Sequence, residues 1–148
     1  MKNLMQEKKQ NLTKNDYPLG LKRPELLLTP TKKAYNDLTL DAALKGEITA
    51  ADLRISPETL EMHANISESL GRIQLSKNFR RAAEMINISD VRILEIYNAM
   101  RPNRSTKEEL LAIANELEEE YGAAENAKLI RQAADVYERR GRLKKSED

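Results

Sequence analysis

Apolar residues in this chain recur at helical spacing only beyond about residue 39, and the part before that follows a different rule. Between Asp16 and Asn36, Pro18, Gly20, Pro24 and Pro30 interrupt any helix, while Leu26, Leu27 and Leu28 remain as apolar anchors. That pattern predicts an extended arm lying on another surface. Met1–Asn15 hold four lysines, several amides and almost nothing to bury, so residues 1–15 are expected to form a disordered tail. Thr39 is the expected N-cap of a short helix over Leu40–Lys45 closed by Gly46, and Thr49 with Asp52 predicts one further turn. The irregular arm thus spans residues 16–55.

From Ser56 the spacing becomes regular. Ser56 followed by Pro57 predicts a helix start, because Ser caps and Pro is tolerated at the first helical position. That helix runs to about Gly71, which is read as a kink rather than a break, and Leu75, Phe79, Ala82 and Ile86 then continue on a narrow stripe. Ser89 and Asp90 open the next helix, in which Ile93, Leu94, Ile96, Tyr97 and Met100 cover a broad arc until Pro102 stops it. Ser105 and Glu108 match the S-x-x-E capping box, and Leu110, Ile113, Ala114, Leu117 and Tyr121 line one face of the helix that follows, up to Gly122. In the last helix, from about Ala123 to Arg140, apolar residues occupy roughly half of the wheel. A helix with one neighbour needs a stripe of only about 100°, so this one is expected to have two neighbours, one of them on another chain. No strand pattern and no repeat appears, and the fold class is all-α.

Composition adds limits. The 148 residues carry one Phe, five Tyr and no Trp, so a modest core of Leu, Ile and Ala is expected in one domain over 16–148, with its helical part at 56–141. Lys plus Arg number 25 against 24 acidic residues, which leaves a formal charge of +1 and no broad field for nucleic acid or membrane. Cysteine is absent, removing disulfides and thiolate chemistry, and the first residues are too charged for a signal peptide. The expected location is the cytoplasm.

The search for chemistry is short. His63 is alone, with no second His or Cys to complete a zinc set, and reads as a packing or surface histidine. The five glycines form no phosphate loop. Glu116, Glu118, Glu119 and Glu120 belong to the wet side of a helix, where no desolvation shifts their acidity. No catalytic, cofactor or metal residue is assigned. The corner Arg101-Pro102-Asn103-Arg104 is readable as a hinge in which Arg101 serves the ending helix's carbonyls. It is also readable as a contact site, with Tyr97 and Met100 as apolar centre and Arg101 and Arg104 as charged rim.

Several blocks together resemble a known family: DYPL from Asp16, RISPETL from Arg54, NFRRAAE from Asn78 and RILEIYNAMRPNRSTKEELLAIA from Arg92. They look like the small subunit of adenosylcobalamin-dependent diol and glycerol dehydratases, over Asp16 to about Lys144. The resemblance implies an open three-helix bundle with a proline-broken N-terminal part. It implies an assembly of large, medium and small subunits, two of each, in which the large subunit holds 1,2-propanediol or glycerol and the cobalamin lies between large and medium subunits. There a radical reaction migrates a hydroxyl and releases water to leave an aldehyde, and the small subunit performs none of these steps. Relatives targeted to a bacterial microcompartment carry a longer extension before the DYPL block, so the microcompartment is the second expected location after the cytoplasm. The competing class is an independent helical adaptor with a weak nucleic-acid or protein-binding patch. On the subunit reading Tyr97, Met100, Arg101 and Arg104 are the candidate interface residues; for the adaptor only the corner and tail charges speak.

Overall fold

The computed structural model describes residues 12–145, which divide into two compact units, one ending at Phe79 and the other beginning at Arg80. Seven α-helices are found among the described residues: α1 (Leu19–Lys22), α2 (Leu40–Leu44), α3 (Pro57–Ser69), α4 (Ile73–Met85), α5 (Asp90–Ala99), α6 (Lys107–Glu119) and α7 (Ala124–Arg139). The all-α expectation holds. The only β-type pairing among the described residues is an isolated antiparallel bridge between Leu28 and Ala34.

In the first unit the arm is a chain of short turns held by side chains. The expected tail lies outside the described residues as far as Asn11, while Leu12 is buried against Leu19 and Ile66. Thr13 and Asp16 cap each other around the turn Lys14–Asp16, and Asp16 also takes the Arg23 guanidinium at 2.8 Å. Leu26, Leu27 and Met62 flank that cluster, so two of the three consecutive leucines act as the expected anchors and Leu28 faces outward. A second knot gathers on Asp52, whose side chain is fully buried. Its carboxylate accepts from the Thr49 backbone N–H at 2.7 Å, the Thr49 hydroxyl at 2.9 Å, the Lys33 ammonium at 2.9 Å and the Thr31 hydroxyl. These donors hold the acid well below the usual carboxylate range, the Thr31 hydroxyl contributing most. One turn of the arm is thereby tied to another about twenty residues away.

α3 begins as expected, with the Ser56 hydroxyl accepting the Thr59 N–H and Pro57 in the first helical position. Its end differs from the expected kink. Gly71 adopts φ +71°, its N–H donates to Glu68 O and the Arg72 N–H donates to Ser67 O, both at 2.9 Å. This double bond to the last turn needs a left-handed residue after the cap, which glycine supplies without a Cβ penalty, so the helix stops and α4 starts afresh. In α4 the expected core stripe stays half-open, with Leu75 and Ile86 exposed and Phe79 half-buried against the His63 ring, centroids 5.5 Å apart. The buried residue of α4 is Ser76. Thus His63 is a packing histidine, and its partial burial lowers its proton affinity.

In the second unit α5, α6 and α7 share one core, in which Ile88, Ile96, Leu110, Leu117 and Ile130 alternate with Ala114, Ala123, Ala127 and Ala134. The alanines let α6 and α7 lie close along their length, after a reversal in which Ala123 N–H returns to Leu117 O at 2.7 Å. Of the wide apolar arc on α7, Ala127, Ile130 and Ala134 are buried, Ala133, Val136 and Tyr137 are half-buried, and Leu129 is exposed. The start of α7 has no side-chain cap of its own. Glu84 substitutes: one carboxylate oxygen accepts Glu125 N–H at 3.0 Å, and the other accepts Asn126 N–H at 3.0 Å and the Asn126 amide at 2.7 Å. A carboxylate at a helix N-terminus satisfies free donors and matches the helix dipole. Glu84→Ala should therefore destabilise the second unit by about 1–3 kcal/mol, read as a lower urea midpoint. An unchanged midpoint would show that water caps this helix equally well.

Candidate subunit-docking surface

α5 presents two faces. Ser89 caps it through the Arg92 N–H, and Ile96 together with the preceding Ile88 is buried. Arg92 then fastens the helix to α6: its guanidinium donates to both Glu116 oxygens and to Glu95 at 2.7 Å. The arginine's charge is reinforced by the hydrogen bonds it donates to Glu116 and Glu95, and the Glu116 acidity is strengthened in turn by Arg92. The other face is bare. Val91, Leu94 and Tyr97, three residues apart, are 69%, 61% and 67% exposed. At helical spacing they make one apolar strip on the solvent side.

The strip leads into the corner. Arg101 N–H donates to Asn98 O at 3.2 Å and Arg104 N–H to Arg101 O at 3.3 Å, closing a turn around Pro102. Asn103 adopts φ +63°, a left-handed conformation that asparagine tolerates better than most residues. The last carbonyls of α5 are served from elsewhere. Ser105 Oγ donates to Ala99 O at 2.9 Å, and Tyr137 Oη donates to Met100 O at 2.7 Å. This corrects two expectations. Beyond its backbone N–H, Arg101 serves none of those carbonyls, and no side-chain hydrogen bond or ion pair of Arg101 or Arg104 is found among the described residues. The capping box of α6 is Thr106 with Glu109, one residue later than expected, because the Ser105 hydroxyl is buried and engaged with the helix before it.

Of the four candidate contact residues, the structure leaves Tyr97, Arg101 and Arg104 exposed and places Met100 half-buried against the core of the second unit. Val91, which the sequence reading passed over, belongs to the same exposed strip as Leu94 and Tyr97. Its signal was its spacing, three residues before Leu94.

Nothing in this arrangement resembles a reaction centre. Among the described residues no group of three or more His, Asp or Glu is placed to hold a metal ion. A groove along the arm is lined by Lys33, Asp37, Asp41, Lys45 and Glu47, side chains that suit water rather than a corrin face. His63 turns its ring onto Phe79, so it does not offer an axial ligand beside an apolar shelf. Neither that groove nor the stacked His63 supplies an apolar shelf for a corrin ring. No helix among the described residues is long and apolar enough to cross a membrane.

The second unit thus carries an exposed apolar strip beside two arginines that make no ion pair among the described residues. Residues 12–144 match the family described as dehydratase small subunit. The chain is 52% identical over 130 residues to the propanediol dehydratase small subunit of Salmonella typhimurium, covering 88% of this chain and 75% of that one. It is 51% identical over 129 residues to the protein of the same description in Citrobacter freundii, covering 87% and 75% respectively. With the match running across nearly all of the described residues, the chain belongs to the dehydratase small subunit family.

Proposed function

We propose that the chain is the non-catalytic structural subunit of an adenosylcobalamin-dependent complex that dehydrates 1,2-propanediol or glycerol to the corresponding aldehyde, and that it packs on the large catalytic subunit through α5 and the corner after it, with the medium subunit as the third member of the complex. In this reading the complex holds two copies of each subunit, the cofactor and substrate belong to the other chains, and the setting is the cytoplasm or a bacterial microcompartment. The observation that carries it is the pairing of a bare strip, Val91, Leu94 and Tyr97, with the guanidiniums of Arg101 and Arg104, which have no partner among the described residues. An apolar centre with a charged rim is the ordinary composition of a protein interface.

The test is co-expression of the three subunits with a tag on this chain. The wild-type chain should co-elute with both other subunits and the complex should dehydrate the diol when adenosylcobalamin is added. The purified chain alone should give no saturable heat on titration with cobalamin. Leu94→Ser combined with Tyr97→Ser should leave the helical circular dichroism intact, because both side chains face solvent, while recovery of the other subunits falls by at least about tenfold. Full recovery by that variant would sink α5 as the docking face, and a micromolar cobalamin isotherm for the lone chain would overturn its non-catalytic role.

A further inference from the structure

The second unit gathers cations from two distant parts of the sequence at one end. After α7 the chain passes Gly141 and runs back along the corner, where Asn103 N–H donates to Arg142 O at 2.7 Å and Lys144 N–H donates to Ser105 O at 2.9 Å. Residues 142–144 are thus clamped beside residues 103–105 by two backbone hydrogen bonds, and the Leu143 side chain between them packs against the core. The clamp sets Arg142 and Lys144 next to Arg101 and Arg104, and all four side chains are exposed. None of the four makes an ion pair or side-chain hydrogen bond among the described residues.

Three other cations of the same unit are compensated, whereas Lys128, Arg140 and Lys145 make no ion pair among the described residues. Arg92 takes Glu95 and Glu116, Lys107 takes Asp135 and Glu138, and Arg131 takes Glu118. Glu109 is engaged as the cap of α6. The carboxylates of α6 and α7 that form these contacts are therefore committed elsewhere. Four like charges held together on a chain whose formal charge is only +1 raise a local potential without a general one. Such a potential selects an anionic surface.

The geometry points to a composite basic patch, Arg101 and Arg104 with Arg142 and Lys144, that binds an acidic surface of another dehydratase subunit and makes the C-terminal segment part of the docking site. This rests on the subunit reading above and adds the chemistry of the partner and the residues 142–144. A protein surface is favoured over nucleic acid because the patch adjoins the apolar strip ending at Tyr97, and burial of that strip needs an apolar counterpart that a phosphate backbone lacks. Backbone groups alone make the clamp, so removing the two side-chain charges leaves the fold in place.

The experiment uses the co-expressed three-subunit complex, with Arg142→Gln combined with Lys144→Gln in the small subunit, and follows its loss from the complex by size exclusion from low to moderate salt. The wild-type subunit should dissociate increasingly as salt rises, and the variant should dissociate at least about tenfold more readily at low salt, with the difference shrinking at moderate salt. Equal retention of variant and wild type at every salt concentration would overturn the inference and leave the subunit reading standing. Failure of the wild-type chain to join the complex at all would overturn that reading instead. A wild-type gel shift of a duplex oligonucleotide at moderate salt that the variant abolishes, with the complex unchanged, would assign the patch to nucleic acid and overturn the inference also.

Discussion

Leu110→Ala and Leu117→Ala should each destabilise the second unit by about 2–5 kcal/mol, enough to leave a small helical unit largely unfolded at moderate temperature. Both side chains lie in the α6 face that α7 covers, at 0% and 2% exposure, and around them stand alanines that have no spare volume to fill a cavity. Truncation removes contacts that nothing replaces, so the cost should fall near the upper part of that range. Thermal and urea melts of the single variants check this. Phe79→Ala should cost less, since Phe79 is half-buried and its ring partner is the equally half-buried His63. A melt in which Phe79→Ala equalled Leu110→Ala would mean that the α4 stripe is covered in the protein.

The same comparison marks how far the sequence could be read. The caps at Thr39, Ser56 and Ser89, the Pro57 start and the buried face of α6 were all legible, because each depends on residues within one or two turns of the chain. The register of the α6 cap was not. Ser105-x-x-Glu108 and Thr106-x-x-Glu109 satisfy the same local rule, and the demand of Ala99 O, at the end of the preceding helix, for a donor decides between them. Arg101 shows the converse case: a local rule offered it the carbonyls of α5, and Tyr137, some forty residues on, took one of them. Amphipathic spacing also promised a buried stripe on α4, where a helix period says which residues share a face but not what covers it. For the docking surface, Tyr97, Arg101 and Arg104 could be named from the sequence, whereas the return of residues 142–144 to the corner could not, since it rests on two backbone bonds between segments almost forty residues apart.

Asp52→Asn should release the arm of the first unit. The carboxylate collects four donors from Thr31, Lys33 and Thr49, and it is the shared acceptor that holds the turn at 29–33 to the turn at 49–53. Asn keeps the shape but loses the charge and presents an NH₂ to at least one donor, so Lys33 or Thr31 is left facing a donor instead of an acceptor. Around residues 40–53 the arm has little else to hold it, since Leu40, Leu44 and Leu53 are exposed. Tryptic cleavage after Lys33, Lys45 and Arg54 should therefore accelerate by roughly tenfold or more, while circular dichroism from the long helices stays nearly constant. The acidity shift sets the pH behaviour. Because the folded-state carboxyl lies below its ordinary value of about 3.8, its stabilising contribution is complete above that value and is lost as pH falls from there toward the folded-state value. Wild-type arm protection should decline as pH is lowered from about 5 to 3, and Asp52→Asn should show a flatter decline from an already lower level. Equal protection of the two chains at neutral pH would show that Thr31, Lys33 and Thr49 find other partners and that the knot does not hold the arm.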